Sequence, residues 1–218
     1  MNNSIILFGG TFNPLHNGHM IIAIKLYSLF QHPITFLPTG IPPYKAAPLT
    51  TATDRLNMLN LALEHDNRFL INTSEIDKDE FCYTYNTLSI IRNEVGHATP
   101  VFFIIGSDSL VSLDTWDNWK LLLELTNFIV IKRQNYNESL MANELITEFT
   151  KRKTNDLTNF KASNHGQFFV VDFEPIDISS TQIRNMVTEH QSIENLVPSK
   201  IATYINNQQL YARHQGNK

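Results

Sequence analysis

The sequence predicts a single α/β domain: a mostly parallel sheet with helices on both faces and a small helical part at the C-terminus. Three observations carry that prediction. Short apolar runs alternate with amphipathic stretches along the whole chain. The apolar runs are continuous rather than alternating, which marks strands buried on both faces. No internal repeat or linker-like tract divides the 218 residues, a length that suits one sizeable domain.

The strands come first. Residues 4–8 form a compact apolar run that ends at Gly9-Gly10, and residues 34–37, 69–71, 101–105, 128–131 and 168–173 repeat the pattern. Each is rich in Val, Ile and Phe and is bounded by polar or turn residues. Between them lie helical signals. Residues 18–30 set Ile21, Ile22, Leu26 and Leu29 at helical spacing. Residues 53–63 do the same with Leu56, Met58, Leu59 and Leu63, behind a Thr51 cap with Asp54 three positions on. Residues 84–95, 138–149, 180–187 and 198–205 complete the helices, with the C-terminal helical part running from about 175 to 218. The polar stretch 151–166 reads as a mobile loop, and 39–53 as a second, Pro-rich one.

Composition narrows the function classes. An apolar share of 42% and a charged share of 17% are ordinary for a globular protein, and 14 Phe, 7 Tyr and 2 Trp can fill a core. A formal charge of −4 argues against nucleic acid as a partner, since such proteins carry basic patches. The single cysteine, Cys82, forms no internal disulfide and supplies no Cys-based zinc site. A reducing, cytoplasmic setting is the expectation. The N-terminal residues lack the features of a signal peptide. No apolar run approaches the roughly 20 residues of a membrane helix, so no membrane partner is expected.

The chemistry concentrates at the end of the first strand, in Gly9-Gly10-Thr11-Phe12-Asn13-Pro14-Leu15-His16-Asn17-Gly18-His19. Ligands in open α/β sheets bind beyond the carboxyl ends of the strands. Two glycines let a ligand approach the backbone and expose N–H groups. His16 and His19, three apart at a helix start, can face the same spot, where the helix N-terminus adds donors and positive potential. The combination suits a phosphate. A solvated helix face or a metal site are the other readings of such a His pair, although no Cys or Glu-x-x-His stands nearby. Neither a G-x-G-x-x-G fingerprint nor a G-x-x-x-x-G-K-[ST] loop is present. A second cluster, Ile178-Ser179-Ser180-Thr181-Gln182-Ile183-Arg184, opens a later helix with Ser179 or Ser180 as N-cap. Alone it is a capped helix start with a surface Arg; beside the first motif it looks like a second grip on phosphate.

Together the two segments resemble the nucleotidyltransferase superfamily with a His-x-Gly-His signature, and more narrowly the bacterial nicotinate-nucleotide adenylyltransferases. The likeness extends through Pro42-Pro43-Tyr44-Lys45, Tyr83-Thr84, Gly106-Ser107-Asp108, Trp116, Trp119 and Val197-Pro198 to Tyr204-Ile205 and Leu210-Tyr211. It implies a Rossmann-like nucleotidyltransferase fold. It also implies transfer of AMP from ATP to nicotinate mononucleotide, giving nicotinate adenine dinucleotide and pyrophosphate in NAD biosynthesis. The attacking phosphate is already an oxyanion, so alignment and charge neutralisation are the protein's task.

The resemblance also assigns roles. His16, His19 and Arg184 would be catalytic, with Ser180 and Thr181 beside Arg184 on the outer phosphates. Gly9, Gly10, Thr11 and Phe12 would approach ATP through the backbone. Gly106, Asp108 and Arg133 would hold adenosine, although Asp108 could instead cap a helix and Arg133 be a strand-end surface cation. Lys45 would meet the mononucleotide phosphate, Trp116 would stack on the pyridine ring, and Tyr83 and Thr84 would line the same pocket, with local backbone amides reading the nicotinate carboxylate. Trp119 reads as a core anchor. Mg²⁺ would arrive bridging the ATP phosphates, with no metal held by protein side chains alone. Three positions depart from the family: Asn13 for Asp, Tyr44 for a frequent His, and Asn86 for Asp. Nicotinamide mononucleotide or pantetheine phosphate as acceptor, a regulator that lost catalysis, and a homo-oligomeric state remain open readings.

Overall fold

A computed structural model describes residues 4–41, 50–133, 136–174 and 177–212. Strand β1 (Ile5–Gly10) leads into helix α1 (Asn17–Phe30), then β2 (Ile34–Pro38), α2 (Ala52–Leu63) and β3 (Phe69–Ile71). Helix α3 (Thr84–Val95), β4 (Val101–Gly106), the short α4 (Ser107–Val111) and α5 (Trp119–Leu122), and β5 (Asn127–Ile131) follow. The remainder is α6 (Asn143–Arg152), β6 (Lys153–Thr154), α7 (Leu157–Ala162), β7 (Phe168–Val171), α8 (Ser180–Thr188) and α9 (Ser199–Asn207).

The strands form one sheet in the order β3-β2-β1-β4-β5-β7-β6, and each adjacent pair is parallel. Chain order reverses direction between β1 and β4, which makes their carboxyl ends a topological switch point. Alternation along the central strands splits the core into two layers. Ile6, Phe8, Phe102, Ile104, Ile129 and Ile131 face α1, α2, α7, α8 and α9; Leu7, Phe103, Ile105, Phe128 and Val130 face α3 to α6. The helices therefore cover both faces, as the continuous apolar strands predict.

Local signals account for several boundaries. Thr51 caps α2 by accepting from the Asp54 N–H at 3.0 Å. Ser179 caps α8, with Gln182 N–H donating to its Oγ at 3.1 Å and its own N–H reaching Gln182 Oε1 at 3.4 Å. Two expectations need correction. Residues 151–166 are not an open loop: they contain the end of α6, strand β6 and helix α7, whose Phe160 is fully buried. One large aromatic residue anchors an otherwise polar segment, and polarity alone hid it. Helix α6 starts at Asn143 rather than 138, because Glu138–Leu140 forms a separate turn of 3-10 helix.

Candidate active site

At the carboxyl end of β1 the chain makes a tight strap back to α1. A Cβ on Gly9 would meet the Phe103 ring at 2.7 Å, and one on Gly10 the Phe12 ring at 2.9 Å, so both positions exclude a side chain. Phe12 takes a left-handed backbone (φ 48°), which turns its ring into the core, 2% exposed. There it meets Phe8, Phe36 and the His19 imidazole edge-on, at 5.7, 5.4 and 5.1 Å between centroids. The Phe12 side chain is thus a floor beneath His19, and only its backbone remains for a ligand.

His16 is the N-cap of α1 and His19 lies in its first turn. Their rings stack at 3.7 Å, so the sequence spacing does bring both imidazoles to one place. The His16 backbone N–H donates to His19 Nδ1 at 3.3 Å, which leaves the proton of a neutral His19 on Nε2. Burial, with a smaller contribution from the Arg133 guanidinium, lowers His16 to about 4. Burial first, then His16 and Arg133, push His19 well below its ordinary value. Both rings are neutral near pH 7 and can donate N–H groups without a positive charge. His16 Nδ1 is buried and makes no full hydrogen bond within the described residues, although its ring lies toward the His19 N–H in a capping-box arrangement.

A cavity of about 510 Å³ opens beside this pair. Its polar wall includes His16, Gly18, His19, Asp108, Arg133 and Ser179, and its apolar wall includes Ile131, Leu140 and Phe173. Asp108 and Arg133 pair at 3.4 Å with both side chains largely exposed. A Cβ on Gly106 would lie 2.3 Å from Asp108 Oδ1, so only glycine leaves this carboxylate its place. Asp108 falls within the first turn of α4, whose N-cap is Gly106. Buried Ser107 accepts from the Arg133 N–H at 3.1 Å and ties the ends of β4 and β5 together.

The second motif closes on the first. Ser180 Oγ donates to Pro14 O at 3.0 Å, and the Arg184 guanidinium donates to Asn13 O at 2.8 Å and to Thr181 Oγ1 at 3.1 Å. Ser180, Thr181 and Arg184 do not line the cavity; Ser180 and Arg184 brace the strap, while Ser179 reaches the wall itself. Tyr83 is the N-cap of α3 and Thr84 its first residue. Trp116 packs edge-on against Phe103 at 6.5 Å and, like Trp119, against the core layer under α3 to α6. Tyr83, Thr84 and Trp116 do not line this cavity. Lys45, with Pro42, Pro43 and Tyr44, lies outside the described residues.

Sequence reasoning missed two polar residues. Arg55, 2% exposed, donates to Thr11 O at 3.0 Å and Thr39 O at 2.6 Å, and so holds the ends of β1 and β2 from below. Its place on the same helical face as Met58, Leu59 and Leu63 was the available signal. Asn13, 5% exposed, accepts from Thr50 and Tyr211 through its side-chain oxygen. No local pattern announces that contact, since its partners lie 37 and 198 positions away.

The chain belongs to the cytidylyltransferase-like family, whose model matches residues 7–186. Within that class it groups with the nicotinate-nucleotide adenylyltransferases, which are nucleotidyltransferase enzymes. It is 36% identical over 207 residues to the probable nicotinate-nucleotide adenylyltransferase of Yersinia pestis (strain Pestoides F), covering 94% of each chain. It is 33% identical over 214 residues to that of Dechloromonas aromatica (strain RCB), covering 97% of this chain and 99% of the other. Among solved structures, the fold matches Plasmodium falciparum nicotinic acid mononucleotide adenylyltransferase complexed with NaAD, with a TM-score of 0.72 at 21% identity. That match covers 95% of this chain and 97% of the other.

Among the described residues, no group of three or more His, Cys, Asp or Glu could hold a metal ion. No helix among them is long and apolar enough to cross a membrane.

Proposed function

We propose that this enzyme transfers the adenylyl group of ATP to nicotinate mononucleotide, forming nicotinate adenine dinucleotide and pyrophosphate. The observation that carries the reading is the stacked, neutral His16–His19 pair at the mouth of the cavity, with no full hydrogen bond to His16 Nδ1 among the described residues. The relatives' names give the acceptor. An oxygen of the mononucleotide phosphate attacks the α-phosphorus of ATP. The new P–O bond forms as the bond to the bridging oxygen breaks, and pyrophosphate leaves with that oxygen. No covalent enzyme intermediate is needed, because the nucleophile is ionised before it binds.

His16 and His19 donate imidazole N–H groups to the reacting phosphates, beside the backbone of Gly9, Gly10, Thr11 and Phe12. Ser180 and Arg184 hold the strap that carries the His pair, and together with Thr181 they would grip the outer phosphates once ATP is bound. Asp108, beside Gly106, accepts from ribose hydroxyls, and Arg133 adds positive potential at the adenosine end. Lys45, Tyr83, Thr84 and Trp116 form the mononucleotide side. Mg²⁺ enters as part of the Mg-ATP substrate, a role that suits a site where Asp108 is already paired with Arg133 and no group of three or more His, Cys, Asp or Glu among the described residues could hold a metal ion. Carried in with ATP, the ion would supply charge neutralisation at the leaving pyrophosphate. A cytoplasmic enzyme, monomeric or homo-oligomeric, accords with this reading.

Pyrophosphate release from Mg-ATP, measured with nicotinate mononucleotide, nicotinamide mononucleotide and pantetheine phosphate in turn, tests it. The acid form should be preferred at least about tenfold, or roughly 1.4 kcal/mol. Release with none of the acceptors would sink the transferase reading, and a smaller preference would sink the choice of acceptor.

A further inference from the structure

Asn13 gathers three distant parts of the chain at one buried amide. Its Oδ1 accepts from Thr50 Oγ1 at 2.7 Å and from the Tyr211 hydroxyl at 2.6 Å, while its main-chain oxygen accepts from Arg184. Thr50 stands directly before the cap of α2, Arg184 lies on α8, and Tyr211 follows α9. Asn13 is three residues from His16, on the strap that sets the imidazole pair. Displacing Asn13 therefore displaces the rings.

The route by which Tyr211 arrives is itself unusual. Gln209 and Tyr211 both take left-handed backbone, with φ of 51° and 63°. Such a conformation is unfavourable for side chains of this kind, and it persists where surrounding contacts over-determine it. Here those contacts are Leu210 N–H to Ile205 O at 3.0 Å, Thr188 Oγ1 to Tyr211 O at 3.0 Å, and the hydroxyl on Asn13. The neutral amide also accepts both hydroxyls without placing a carboxylate next to Arg184, whose charge stays available to an anion.

We propose that Tyr211 is a positioning residue for adenylyl transfer, acting through Asn13 to hold the strap that carries His16 and His19. This rests on the reaction proposed above. The test compares wild type with Tyr211→Phe, which keeps the ring and removes one donor. Two readouts are needed: the imidazole nitrogen resonances of His16 and His19 in the ligand-free protein, and steady-state kinetics with Mg-ATP and nicotinate mononucleotide. The expected result is a shift of both ring signals and a kcat reduced about tenfold or more, since small misplacements of reacting groups are costly. KM for the mononucleotide should stay within about twofold and Tm within about 4 °C, the scale of one lost hydrogen bond. Unmoved ring signals overturn the inference, as does a lowered Tm with native kcat in the folded variant. If wild type releases no pyrophosphate with any acceptor, the reaction fails while the ring signals still decide the role of Tyr211.

Discussion

At the amino ends of the strands, Arg92 is 1% exposed and spends all of its N–H groups on the carbonyls of Leu125, Gly96, Thr99 and Asn164. At the carboxyl ends, His16 is 6% exposed and keeps a ring nitrogen with no full hydrogen bond among the described residues. Both are buried polar side chains on helices packed against the same sheet, but only the guanidinium has every N–H group paired among the described residues. A fully paired guanidinium knits the ends of β4, β5 and β7 to α3 and has nothing left for a ligand. A neutral imidazole in a cavity wall, with a ring nitrogen not spent on the fold, can serve a ligand instead. The sheet thus separates a structural end from a working end.

Four experiments can break or sharpen that contrast, beginning with the largest effect. His19→Ala should lower kcat about a hundredfold to a thousandfold, the usual loss for one preorganised donor, while Tm moves by only a few degrees. A large drop in Tm with little loss of rate would move His19 to the structural side. Arg92→Met should do the reverse: stability to urea falls by about 3–5 kcal/mol as five hydrogen bonds to four carbonyls are lost, with kcat at 25 °C unchanged in the folded fraction. Lost activity in well-folded Arg92→Met would erase the division between the ends.

The third concerns pH. His16 titrates near 6.5 when unfolded and at about 4 when folded, so the folded state resists protonation. Its contribution to stability is complete above 6.5 and is lost as pH falls toward 4, by on the order of 3 kcal/mol. Denaturation of wild type and His16→Asn across that window should therefore converge toward low pH. Parallel curves would show that burial does not hold this ring neutral. The smallest effect belongs to Asp108→Asn. Because the Asp108–Arg133 pair is exposed, stability should change by less than about 1 kcal/mol. KM for ATP, measured at saturating mononucleotide, should rise severalfold.

The sequence made the parallel sheet, its two apolar faces and the pairing of the two His residues legible, because each depends on periodicity or on spacing of a few residues. Thr51 and Ser179 were equally readable as caps, since a cap is a local hydrogen bond. Strand β6 and helix α7 were not. A two-residue strand has no period, and Phe160 is one aromatic in a polar run. Nor could local pattern show that Phe12 is a floor rather than a wall, or that Arg55 reaches two strand ends. Asn13 marks the limit most sharply: its identity as a departure from the family was plain, but its partners Thr50 and Tyr211 are joined to it only by the finished fold.

Helix α1 shares a capping box with α8, but with imidazoles in place of a hydroxyl and an amide. Helix α2 has a threonine hydroxyl and Asp54 at its start, and α8 has Ser179 and Gln182. The first turn of α1 has no acidic residue, and an imidazole occupies its cap position. The positive end of that helix is left without a counter-charge from its own chain, facing the cavity through Gly18. In the proposed reaction the ATP phosphates supply it. Substrate then lends a secondary-structure element its counter-charge, which leaves with pyrophosphate at each turnover.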